Sequence, residues 1–102
     1  MTDNTNTTIE ATARALVLHH DDNVAIALCA LPAGSQVQPR AAAAQTCITL
    51  REPIALCHKF ALRDIAAGEV VVKYGESIGR ATCAIAAGAH VHIHNLASTR
   101  GI

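Results

Sequence analysis

The sequence predicts an all-β protein: a single small domain built from short, bent hairpins. Three observations carry that expectation. The apolar runs are short and rich in Val, Ile and Leu, the length of strands rather than helices. Turn-forming Gly, Pro, Asn and Asp separate them. A small unit also recurs: Leu31-Pro32-Ala33-Gly34 is followed by Val37, Ile65-Ala66-Ala67-Gly68 by Val71, and Ile85-Ala86-Ala87-Gly88 by Val91. Ile54-Ala55-Leu56-Cys57, followed by Phe60, has the same outline without the glycine. In each unit an aliphatic residue precedes a turn, and an apolar residue six positions later opens the next strand. Glycine suits such a turn because it accepts positive φ without a Cβ clash. The irregular spacing of the units excludes a solenoid.

The elements follow in order. Residues 1–13, rich in Thr, Asn and Asp, read as a flexible arm. The domain occupies residues 14–97, and 98–102 form a tail. Residues 14–18 (RALVL) read as a first strand, His19-His20-Asp21-Asp22-Asn23 as a polar turn, and residues 24–28 (VAIAL) as a second strand. Further extended segments are expected at 46–50, 70–74, 78–82 and 91–94. In the segment 70–74, Val72 is expected to pack inward while Lys73 reaches solvent. Gly75-Glu76-Ser77-Ile78-Gly79 reads as a hairpin turn followed by a bulge, since it lacks the phosphate-binding order GxxxxGK[ST]. Only residues 40–45, with four consecutive alanines, suggest a helix, and that stretch is too short to stand alone.

Composition narrows the function. The 102 residues suffice for one domain. Phe60 and Tyr74 are the only aromatic residues, so the core must be aliphatic. Eight basic residues balance eight acidic ones, with no basic stripe and almost nothing to stack on bases, which argues against nucleic acid. No apolar run approaches the roughly 20 residues a membrane span needs. The acidic start is unlike a signal peptide, so a cytoplasmic location is expected. Cys29, Cys47, Cys57 and Cys83 contain no CxxC pair; they read as reduced, partly buried small hydrophobes.

Six histidines stand out. If residues 90–94 form a strand, His90, His92 and His94 share one face while Val91 and Ile93 face the core. Such a face can ligate a divalent metal or bind an anion, though a solvated strand face carrying histidines is the plainer account. His58-Lys59, Lys73-Tyr74 and Arg80 supply cationic donors of the kind that recognise carboxylates. Asp21-Asp22 beside His19-His20 has metal-binding chemistry, yet a polar turn needs nothing more.

Longer strings add a resemblance. His58-Lys59-Phe60-Ala61-Leu62, Asp64 to Glu69, Val72-Lys73-Tyr74-Gly75 with Ile78-Gly79 and Ala81-Thr82, and Ile85 to Asn95 with its His90-Val91-His92-x-His94-Asn95 core resemble the altronate and galactarate dehydratase family. The likeness is to its SAF-type domain, which occurs fused to a large catalytic domain or as a separate small subunit. Asp22-Asn23-Val24-Ala25 and Leu31-x-x-Gly34 match the earlier part of the pattern. One departure is Leu56-Cys57 before His58-Lys59, where the family has Ala-Gly. If that turn needs positive φ, Cys57 costs about 1 kcal/mol relative to Gly; otherwise the turn has changed type.

The resemblance implies a β-clip (SAF-like) fold and dehydration of sugar acids to 2-keto-3-deoxy acids by a hydro-lyase. It implies a divalent metal, such as iron, held mainly by a large partner subunit. A related two-subunit enzyme, sulfolactate sulfo-lyase, eliminates sulfite instead. With the residue chemistry, it marks His92 and His94 as candidate catalytic and metal-contacting residues. His58, Lys59, Lys73, Tyr74, Arg80 and Asn95 become candidates for contact with the substrate carboxylate and hydroxyls. Alone, a chain of this size is expected to be inactive. A free-standing sugar-acid or metal-binding module is the competing expectation, and self-association stays open.

Overall fold

The computed structural model describes residues 14–40 and 47–98. Among the described residues nine short strands run in order: β1 (Ala15–Leu16), β2 (Val24–Ala27), β3 (Gln36–Val37), β4 (Ile48–Thr49), β5 (Lys59–Ala61), β6 (Val70–Lys73), β7 (Glu76–Ala81), β8 (His90–Val91) and β9 (Leu96–Ala97). They form sheets in the orders β1-β2-β5-β8, β3-β4 and β6-β7-β9. Every strand pairing is antiparallel. No helix occurs among the described residues, so the all-β expectation holds. The expected arm at 1–13 and the tail beyond Ser98 lie outside the described residues. So does the candidate helix apart from Arg40, which bridges Leu16.

The recurring unit is the organising device. Leu31 pairs with Ile54 and Ile65 with Ile85, each pair exchanging both backbone hydrogen bonds at 2.7–2.8 Å. Three residues on, the chain turns through left-handed backbone at Gly34, Cys57, Gly68 and Gly88, with φ of 84°, 70°, 84° and 84°. Each of these residues donates its N–H across the pair at 2.8 Å, to the carbonyls of Leu50, Ala27, Ala81 and Ala61 respectively. Six positions after the first aliphatic residue, Val37, Phe60, Val71 and Val91 are buried. Cys57 therefore keeps the glycine turn and accepts the strain of about 1 kcal/mol.

Each pair of turns closes over its own core. Leu31, Val37, Leu50, Ile54 and Phe60 form one cluster, and Ile65, Val71, Ile85 and Val91 the other. β5 joins them, with Phe60 in the first and Ala61 in the second. Burying each such Leu or Ile contributes about 1.5–3 kcal/mol, which supplies the driving force that aromatic residues cannot. Buried Asn23 stitches β2 to β6: its Nδ2 donates to the Val70 carbonyl at 3.0 Å and its Oδ1 accepts from Val72 N–H at 2.8 Å.

β6 and β7 make the expected hairpin and bulge. Tyr74 and Gly75 both have positive φ at the tip, as a type I′ turn requires. The register then slips between Val71 and Val72, leaving Ile78 as the extra residue on β7. Three expectations are corrected. Val71, not Val72, packs inward, because the repeat places its last apolar residue there. β8 ends at Val91, so residues 92–95 form a turn rather than strand, and Ile93 is 84% exposed instead of facing the core. All four cysteines are free but exposed, since each sits in a turn or loop and not at a core position.

Candidate metal and substrate site

The pairing of β5 with β8 brings two distant parts of the sequence together, with Phe60 opposite His90 and Lys59 opposite Val91. His58 enters β5 just ahead of Lys59, beside the segment that leaves β8. There Asn95 folds the chain back. Its Oδ1 accepts from the His92 N–H at 2.9 Å, and its Nδ2 donates to the His90 carbonyl at 2.8 Å. The backbone completes the turn, with Asn95 N–H donating to the His92 carbonyl and Thr82 N–H to the Asn95 carbonyl. Asn95 was a candidate for substrate contact. Instead it is buried, with its amide engaged at both ends, and it shapes the loop that presents the imidazoles.

Four imidazoles gather here. His58 stacks on His92 at 4.3 Å and on His90 at 5.0 Å between ring centroids, and His94 lies 5.2 Å from His90. His58 Nδ1 and His90 Nε2 share a hydrogen bond of 2.8 Å. Below the loop, the Glu52 carboxylate accepts from the His90 N–H at 2.9 Å. Ring nitrogens of His58, His90 and His92 all lie within 4.8 Å of one another, a spacing that suits a shared metal ion.

Electrostatics favours the neutral form of His90 and His92. Burial, then the neighbouring His58 and His94, pushes His90 below the usual histidine value, with Glu52 pulling the other way. His92 is lowered by the same combination of partial burial and cationic neighbours, His58 and Lys59 among them. Lys59 is lowered too, first by burial and then by repulsion from Lys73. Neutral imidazoles keep a lone pair for a metal or a proton. Three nitrogen ligands leave a divalent ion open positions for water or a substrate oxygen. Ligands at about 2.0–2.1 Å on a tetrahedral ion stand about 3.3 Å apart, so uptake would part the His58–His90 pair by roughly half an ångström. The donor set fits such an ion.

The structure treats the candidates unequally. His58 and His92 come together, Lys59 acts on His92 by its charge and Lys73 on Lys59, and His94 lies beside His90. The metal-competent group is His58, His90 and His92; it includes His92 but not His94. Sequence reasoning put His90 on one face with His92 and His94 but carried only His92 and His94 forward as metal contacts. The one signal available was the repeat, since His58 and His90 closely follow corresponding left-handed turns. Arg80 turns to the Gly68 carbonyl at 2.9 Å, and Tyr74 stands 70% exposed at the hairpin tip.

Fold and site therefore define a small β-domain with a polyhistidine face. Residues 13–99 match the family described as the altronate/galactarate dehydratase SAF domain, and the chain belongs to that family. It is 50% identical over 78 residues to altronate dehydratase of Escherichia coli, covering 76% of this chain and 15% of that protein. Altronate dehydratase of Bacillus subtilis is 36% identical over the same length and shares. The (2R)-sulfolactate sulfo-lyase subunit alpha of Chromohalobacter salexigens is 43% identical over 51 residues, covering 50% of this chain and 54% of that subunit. The match thus spans about a seventh of the dehydratases and about half of the sulfo-lyase subunit. No helix among the described residues is long and apolar enough to cross a membrane.

Proposed function

We propose that this chain is the small subunit of a cytoplasmic sugar-acid hydro-lyase and acts with a large catalytic chain. The observation that carries the reading is the half-buried His58–His90–His92 group with Lys59 next to it, in a domain matched within altronate dehydratases. Dehydration beside a carboxylate needs a base for the α-proton, an acid for the departing hydroxyl and positive charge for the enolate-like intermediate. Lys59 and Lys73 hold the carboxylate by charge. Of His92 and His94, one takes the α-proton and the other protonates the departing hydroxyl, which leaves as water as the carbon–carbon double bond forms. His58 and His90 fix His92 by stacking and exclude water from one side. A divalent ion such as iron, held mainly by the large chain, would supply Lewis acidity when bound.

The match to a sulfo-lyase subunit alpha supports a second reading, a small subunit that serves elimination of sulfite. One experiment addresses both. The chain is co-purified with the product of any neighbouring reading frame that encodes a large dehydratase-like chain, and the pair is assayed on altronate, galactarate and sulfolactate. The pair is expected to turn over one of these acids and the chain alone none. His92→Ala should lower turnover of the assembled pair by two to three orders of magnitude, as loss of a transition-state donor does, while Cys47→Ala is silent. Near-normal turnover in both His92→Ala and His94→Ala would leave this domain only a docking role.

A further inference from the structure

The two histidines outside that group sit in the β1–β2 turn, which carries its own donor set. His19 and His20 stack at 4.3 Å between centroids. The Asp21 carboxylate reaches both rings, with Oδ2 3.7 Å from His19 Nδ1 and Oδ1 3.3 Å from His20 Nε2. Donor atoms of all three residues lie within 4.8 Å of one another. Ligands on a tetrahedral ion at about 2.0–2.2 Å stand about 3.3–3.6 Å apart. The His20–Asp21 spacing falls within that range, and the His19–Asp21 spacing lies about 0.1 Å beyond it.

The turn is also held in place by groups that are not donors to that shell. Asp22 Oδ2 accepts from the His19 N–H at 3.0 Å, and its Oδ1 accepts from the Gly75 N–H at 2.8 Å. The His19 ring rests on Gly75 so closely that a Cβ there would meet it at 2.9 Å. His19 Nδ1 accepts the Asp21 N–H at 3.1 Å, a hydrogen bond that a metal ion at this nitrogen would replace. Asp22 is thus committed to structure, which leaves Asp21 as the available carboxylate.

We propose that His19, His20 and Asp21 form a second divalent-cation site, distinct in its ligands from the β5–β8 imidazole group. Two imidazoles and one carboxylate select a borderline ion such as Zn²⁺ or Ni²⁺. Because the same turn grips Gly75, occupancy stiffens the hairpin tip next to Lys73, the residue that the proposed function sets at the substrate carboxylate. The proposal stands whether or not the chain serves a hydro-lyase.

Zinc titration of the full-length chain tests it, with the four exposed thiols alkylated first to remove them as ligands. In the His90→Ala/His92→Ala background, folding being checked by circular dichroism, one equivalent of zinc should still bind and should slow exchange of the Gly75 amide. Adding His20→Ala and Asp21→Asn should weaken that binding by at least about ten-fold. If the background variant does not fold, the same two turn substitutions in the otherwise native chain should remove one of two equivalents. Zinc binding unaffected by the turn substitutions, or absent from the folded background variant, would overturn the site.

Discussion

Gly68 and Gly88 share a φ of 84° but have different surroundings. Nothing lies within 4 Å of a Cβ built on Gly68, whereas one on Gly88 would run into the Thr49 carbonyl oxygen and crowd Leu50 Cα at 3.3 Å. Gly88 is where the two halves touch, its carbonyl accepting from the Arg51 N–H at 3.0 Å. Gly68→Ala should therefore cost about 1 kcal/mol, the left-handed strain alone. Gly88→Ala should cost roughly 3 kcal/mol, because backbone cannot yield as a side chain does. Urea unfolding of the two variants checks this; equal losses would show that the junction is soft. Cys57 shows how far the sequence was legible here. Its left-handed turn could be anticipated from the spacing of Ile54 and Phe60, because those buried residues and the cross-pair hydrogen bonds set the geometry. Glycine merely makes it cheaper.

At the scale of elements, strand alternation failed at residues 92–94. A buried amide three residues further on competes for the backbone there, and nothing in a two-residue period announces it. Asn95 takes the His92 N–H and the His90 carbonyl, and the chain turns where a strand was expected. The four imidazoles cluster because of that turn, and their crowding has a pH consequence in the metal-free chain. His90 and His92 protonate in the fold only below the ordinary value of 6.5. The unfolded chain takes up those protons first, so the stability this loop contributes is full above about pH 6.5 and is lost as pH falls through the lowered folded values. Melting temperatures measured from pH 7.5 down to 5 should fall more steeply for the native chain than for His90→Gln/His92→Gln. Parallel slopes would mean that the crowding is relieved without cost.

For the whole molecule, the repeat announced four turns and four strand openings, but not which turns would pair. That choice depends on long-range contacts such as Leu31 with Ile54 and Ile65 with Ile85, which no local pattern encodes. The same pairing decides that His58 meets His90, so the site could be named residue by residue but not assembled. The exposed thiols have a practical consequence: Cys29, Cys47, Cys57 and Cys83 are four chemical markers distributed over one small surface. Alkylation rates read by mass spectrometry therefore give a footprint of whatever covers the domain, without any engineered label. Cys57 adjoins His58, so a large chain closing over the imidazole face should slow its labelling before that of the other three. Rates unchanged at Cys57 in a stable complex would place the interface on another side of the domain.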